Sequence, residues 1–329
     1  MASGLAGGFK VYQDQFQTGI VETLTQNSNA FNEASQGAIQ LSTISRRGDF
    51  SQEAFFQVLS GMVSRRDNTS NSAATDQNLT QDEWISVKLN RKIGPVNQSR
   101  DSFRKIMMGK TEGEMSFILG QMAGKGMQLD MLNAAVLAAR ASLAAQAAVS
   151  RTVAASGTLK TTSLVDGLAA FGDAASNIVC WVMHSKQYYD LVKDQIASNI
   201  FGVSNFAVAN ASPVTLNRPV LVTDSASLIS TTGSGSTAVN TYYALGLTAG
   251  GAIVENTEEE ELIVQDVTGN ENLAVRMQGE FAYNVGIKGF KWDTTQGANP
   301  TNAALGTGAN WKAVRQSYKD FAGVVIASA

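Results

Sequence analysis

Residues 163–194 read SLVDGLAAFGDAASNIVCWVMHSKQYYDLVKD. Ser163 stands where a cap opens a short helix, with Asp166 three residues on. NIVCWVM, residues 177–183, is a short, continuous apolar run rich in β-branched residues, which predicts a buried strand. His184 closes that strand and Ser185 caps the next helix, KQYYDLVKDQI. NRPVLVTD, residues 217–224, predicts a further strand opened by Pro219. Helix, strand, helix and strand in succession make this part of the chain an α/β segment.

The C-terminal third reads as β. Candidate strands cover Thr241–Leu247 and Leu262–Val267, and TGNEN at 268–272 is a turn. Leu273, Val275, Met277, Phe281, Tyr283, Val285 and Ile287 all fall on odd positions, with polar residues between them. Alternation over 15 residues is far longer than a typical strand of ~5–6 residues. It predicts one long strand bent or bulged at Gly279. After a loop at 294–310, WKAVRQSYKDFAGVVIAS returns to a final strand.

Toward the N-terminus, Glu112–Ser150 carries the longest helical signal. Met115, Met122, Leu129, Val136 and Leu143 recur every seven residues and form one apolar stripe. The 39 residues would span ~58 Å. Gly120, Gly124 and Gly126 each disfavour helix by ~1 kcal/mol, so the continuous part is expected to start near Met127. Ser51–Val63 reads as a helix, with Phe55, Val58, Leu59 and Met62 at helical spacing. The polar stretch 65–81 follows, and then EWISVKLN alternates as a half-buried strand. A polar tip that long reads as an excursion from the body. Residues 1–45 are rich in Gln and Asn with scattered aromatics; they are expected to be a partly disordered tail or an arm that orders on a neighbour.

Composition narrows function. Of 329 residues, 44% are hydrophobic and 16% charged, with one Cys, one His and a net charge of −3. One Cys excludes a disulfide within the chain, and one Cys with one His excludes the usual four-ligand zinc site. The charge balance argues against sequence-reading of duplex DNA. No apolar run reaches the length of a membrane span, and a lone Cys suits a reducing cytosol. Low charge on a chain this size suggests that part of its surface is meant for other protein.

Local motifs carry little chemistry. GKT at 109–111 lacks the upstream glycine of a phosphate loop, where Arg104 stands instead. GTG at 306–308 lacks the third glycine of a dinucleotide fingerprint. His184 beside Ser185 suggests a hydrolase only if the His reaches another serine and a carboxylate orients it; the plainer reading is a strand end and a helix cap. Cys180 reads as a small buried hydrophobe. Glu258–Glu261 reads as a solvated loop, and RGD at 47–49 as coincidence. No catalytic residue, cofactor site or metal site is expected.

The order of elements resembles the major capsid protein of tailed bacteriophages, an α+β fold also used by encapsulin shells. The resemblance is carried by SLVDGLAAFGDAASNIVCWVMHSKQYYDLVKD, by NRPVLVTDSA and by the 112–150 helix, which is similar to that family's spine helix. It implies an N-terminal arm over 1–45 and an extended loop with flanking elements over 46–110. It further implies a spine helix over 111–154, an axial domain over 155–270 and peripheral strands over 271–329. The extended loop would lie on a neighbouring subunit, with Arg65, Arg66, Trp84 and Lys88 as contact residues. Copies would form hexamers and pentamers of an icosahedral shell in the virion, assembled in the host cytoplasm around double-stranded DNA without sequence specificity or membrane. A separate scaffolding protein and a portal would assist, because no scaffold-like segment of some ~100 residues precedes the spine helix. Some members crosslink a Lys to an Asn between subunits; no such pair can be matched here, so no covalent crosslink is expected. The alternatives are an encapsulin-like compartment, a tail-tube or decoration protein, and a cytosolic hydrolase using His184.

Overall fold

The computed structural model describes residues 13–44, 48–57, 63, 65–66, 68–70, 73, 81–99, 112–153, 157–198, 215–233, 238–269, 271–315 and 317–329. The elements in chain order are α1 (Gln13–Ala34), β1 (Ile39–Thr43), β2 (Phe50–Phe56), β3 (Gln81–Ser99), α2 (Glu112–Ala144), β4 (Ser150–Thr152) and α3 (Thr161–Phe171). Then come β5 (Ile178–His184), α4 (Ser185–Ser198), β6 (Val220–Thr223), β7 (Ile229–Thr232), β8 (Val239–Thr248) and β9 (Ala252–Val267). The chain ends with β10 (Ala274–Ile287), β11 (Phe290–Trp292), α5 (Asn302–Leu305), β12 (Trp311–Ala313) and β13 (Gly323–Ser328).

Two sheets share one core. The first runs β1-β9-β10-β3-β2, and the second runs β4-β13-β8-β5-β6 with β7 on β8. Helix α2 packs on β9 and β10 of the first sheet and on β8 and β13 of the second. Its side toward them is built of small residues: Ala134, Ala135, Ala138, Ala139 and Ala141 are all buried. Short side chains let both sheets approach one helix.

Strand β10 follows the predicted alternation. Val275, Met277, Phe281, Tyr283, Val285 and Ile287 are buried, and the pairing with β3 shifts register between Met277 and Gly279. The strand bulges at the glycine. Strand β5 and helix α4 stand where the apolar run and the residues after it put them, and β6 pairs parallel to β5.

Several expectations fail. Residues 50–56 form strand β2, not a helix, because they pair antiparallel with 81–87 of β3; residues 58–62 of that predicted helix lie outside the described residues. The excursion is thus a β-hairpin. Glu258–Glu261 belong to β9 rather than to a loop. Helix α3 opens at Thr161 after Lys160, so Ser163 is not its cap. The boundary expected at 270 divides β9 from β10, which are paired neighbours. Strand β13, expected with the peripheral strands, pairs with β8 and β4 of the other sheet. Both errors concern pairings between strands distant in sequence, which local pattern does not encode.

Residues 13–34, expected as tail or arm, form a helix lying along this chain's own α2. Phe16 and Ile20 are buried at 3% and 1% exposure. Glycines explain how so few apolar residues suffice. A Cβ on Gly120 would stand 2.1 Å from the Phe16 carbonyl oxygen, and one on Gly19 would stand 2.5 Å from the Phe117 oxygen. The two backbones are therefore in near contact, and α2 is continuous from Glu112 rather than from Met127. The seven-residue stripe splits: Met115, Val136 and Leu143 are buried, but Met122 and Leu129 are 65% and 58% exposed.

Gly126 differs from Gly120, having nothing within 4 Å of an added Cβ. Gly126→Ala should therefore stabilise the subunit by about 1 kcal/mol through helix propensity. Gly120→Ala should destabilise it by about 1–3 kcal/mol through overpacking. Urea unfolding followed by circular dichroism distinguishes the two signs.

Candidate functional site

The β2–β3 hairpin stands at the edge of the first sheet, and the end of it next to residues 57–80 is fastened to β11 and to the segment after β12. Asp82 accepts hydrogen bonds from Lys291 Nζ at 2.6 Å, from its neighbour's amide Glu83 N at 2.8 Å and from Gln57 Nε2 at 3.3 Å. Arg315 lies over the Phe55 ring, 4.1 Å from its centroid. Burial alone would raise the Asp82 pKa, but the hydrogen bonds and the Lys291 charge outweigh it and hold the carboxyl below its ordinary value. Further along β3, Arg91 Nε donates to Asp130 Oδ2 of α2 at 2.9 Å, and Tyr283 Oη donates to the same oxygen at 2.6 Å. Arg91 also donates to Asn302 at 2.7 Å. Side-chain hydrogen bonds thus tie β3 to α2, β10 and β11.

The four residues expected to contact a neighbour are not equivalent. Arg65 and Arg66 are exposed. Trp84 is half-buried: its indole N–H donates to the Ile287 carbonyl at 3.0 Å, and its ring lies against Gly286. Lys88 is 8% exposed, within the first sheet. Trp84 thus makes contacts within its own subunit. Most of 57–80 lies outside the described residues.

Several large apolar side chains of the first sheet and its hairpin are uncovered. Phe56 at the hairpin is 62% exposed; Val96 and Ile263 on the first sheet's long strands are 47% and 60% exposed, and Leu273, just before β10, is 51% exposed.

The His184, Ser185 and Asp224 side chains meet, with His184 Nε2 3.8 Å from Asp224 Oδ1, but not in the order of a catalytic triad. Ser185 Oγ donates to Asp224 Oδ1, not to His184. His184 Nδ1 accepts from the Lys186 amide at 3.2 Å, where a catalytic triad requires it to donate to a carboxylate. Burial pushes the Cys180 thiol up to about 11, which keeps it protonated and unreactive. Among the described residues no group of three His, Cys, Asp or Glu side chains could hold a metal ion. Among them, too, no helix is long and apolar enough to cross a membrane. The GKT stretch lies outside the described residues.

Over residues 8–325 the chain matches the model of the Gp13-like family, major capsid protein 13-like. The chain belongs to this major capsid protein family. Among solved structures it is similar to the cyanophage Pam1 capsid, at 10% identity over 88% of each chain, with a TM-score of 0.50. It also matches a structure from Mycobacterium phage Bobi at 11% identity, over 100% of this chain and 93% of that one, with a TM-score of 0.49. The capsid of cyanophage P-SCSP1u matches at 15% identity over 77% and 84%, with a TM-score of 0.44. No curated protein matches the chain. The fold is that of tailed-phage capsid proteins, and the chain is a coat protein of an icosahedral head.

Two measurements check the side-chain ties of β3. Asp130→Ala, which strands the Arg91 charge, should destabilise the major capsid protein subunit by about 2 kcal/mol in thermal unfolding. Asp82 has a lowered pKa. Its contribution to stability is therefore full above the ordinary carboxylate value of ~3.9 and fades as pH falls through its own lower value. Asp82→Asn should remove that share of the acid limb from a pH–stability profile.

Proposed function

We propose that copies of this chain associate as hexamers and pentamers, each hairpin carrying residues 57–80 onto an adjacent copy. The observation that carries this reading is the hairpin itself: fastened to β11, placed at a sheet edge, and bearing a 62% exposed Phe56 beside the polar stretch that follows. Arg65 and Arg66 are the contact residues on this account. Many copies of one modest contact close a symmetric shell. The second sheet, with α3 and α4, is the part directed toward the local five- and sixfold axes.

Charge bears on the packaged partner. A net charge of −3 suits a wall that encloses double-stranded DNA without binding it tightly. A separate scaffolding protein and a portal direct assembly in the host cytoplasm. The chain acts by contact and performs no catalysis.

Deleting residues 66–80 should leave a folded, soluble subunit with unchanged circular dichroism but abolish shells in negative-stain electron microscopy. Arg65→Glu with Arg66→Glu should lower shell yield at least tenfold. Normal shells from the deletion variant would contradict the assigned role.

A further inference from the structure

Strand β1 stands at one end of the first sheet, and β4 at one end of the second. An outermost strand offers backbone N–H and C=O groups to any strand that comes alongside, and a free edge of this kind joins the sheets of different molecules. In β1 the groups that serve the sheet fall on even residues: Ala38 O accepts from Ala252 N at 3.2 Å, and Ile44 N donates to Asn256 O at 3.0 Å. Alternation along the strand therefore turns the N–H and C=O of Ile39, Leu41 and Thr43 away from the sheet.

Asn32 of α1 fills the middle of that row. Its Nδ2 donates to Leu41 O at 2.8 Å, and its Oδ1 accepts from Leu41 N at 2.8 Å. A side-chain amide carries the same kinds of donor and acceptor as a peptide group. Asn32 thus makes both bonds that an added strand would make at Leu41. The turn after the helix sets it in place: Gly37 N donates to Asn32 O at 2.8 Å, with Gly37 at a φ of +70°. Ser35 Oγ donates to Ile39 O at 3.5 Å. Toward Thr43 the helix does not close the edge, because a cleft of about 330 Å³ lies between the two elements, lined by Leu24 and Ser28 of α1 and by Leu41 and Thr43 of β1.

The second sheet ends in the same way. Val149 O and Val153 N bond to Val325 N and Ala327 O of β13, which turns the backbone groups of Ser150 outward. Arg151 Nη1 donates to Ser150 O at 2.9 Å, and Ser150 N donates to Gln146 O at 3.0 Å. Both outward groups of Ser150 are met from within the chain.

We propose that Asn32 closes the outer edge of β1 to a strand of a second copy. The strand it excludes is the second copy's own β1. Two such edges meeting antiparallel about a twofold axis are self-complementary, and the Leu41 residues of the two copies would exchange both N–H···O bonds. With Asn32 in place, association between copies is left to other surfaces, whatever arrangement they take in the shell.

Hydrogen exchange on the purified, unassembled full chain tests the bond in the unaltered molecule. The Leu41 amide should exchange about tenfold more slowly than the Thr43 amide, which faces the same way. Asn32→Ala should remove that difference and give aggregates that bind thioflavin T and increase with protein concentration. Two controls separate a closed edge from stability alone. Gly120→Ala, which weakens the packing of α1 without touching β1, should give no such aggregates. Thr43→Pro puts a ring where the outward N–H was, so adding it to Asn32→Ala should return the subunit to the dispersed state. Equal exchange at Leu41 and Thr43 in the unaltered chain would overturn the proposal, whether or not the variants fold. So would an Asn32→Ala subunit that stays dispersed, equal aggregation of Gly120→Ala, or aggregation that persists with Thr43→Pro.

Discussion

Everything in this subunit depends on how closely other elements can approach helix α2. Two sheets and a second helix all rest on it, which a helix with large side chains around its circumference would not permit. Its alanines admit the sheets, and Gly120 and Gly124 admit α1 almost to backbone contact. The helix thereby becomes a beam joining parts of the chain that have little else in common. Short side chains give up hydrophobic area per residue but gain close packing over a long contact.

The beam in turn explains the long strands. β3, β9 and β10 extend over 19, 16 and 14 residues, against ~5–6 in an ordinary strand. Such strands need an anchor at one end if the other is to project. Tyr283 and Arg91 on Asp130 provide it, and the Asp82–Lys291 pair fastens the hairpin. Anchored strands with exposed apolar ends suit a subunit whose stability is completed by its neighbours. The low charged fraction belongs to the same design, since desolvating charges at each contact would oppose assembly.

Much of this was legible in sequence because the pattern was local. The apolar run 177–183 and the odd-numbered face of 273–287 announced β5 and β10 unaided, and Gly279 announced its bulge. The hidden parts were those decided by distant partners. Residues 50–56 include the good helix formers Gln52, Glu53 and Ala54, yet pairing with β3 made them a strand. The glycines of α2 looked like helix breakers because the backbone of α1, which requires them, is about 100 residues away in sequence. Trp84 and Lys88 looked like surface on an alternating strand, yet Trp84 is half-buried and Lys88 buried. Arg65 and Arg66, by contrast, are exposed as the polar composition around them suggested.

The central claim is that this fold exists to touch copies of itself. Electron cryomicroscopy of particles from cells expressing the chain together with its neighbouring genes tests that claim most directly. The account predicts a closed icosahedral shell in which each β2–β3 hairpin rests on an adjacent copy. Small discrete oligomers or open tubes, or a shell in which each hairpin folds back on its own subunit, would contradict it.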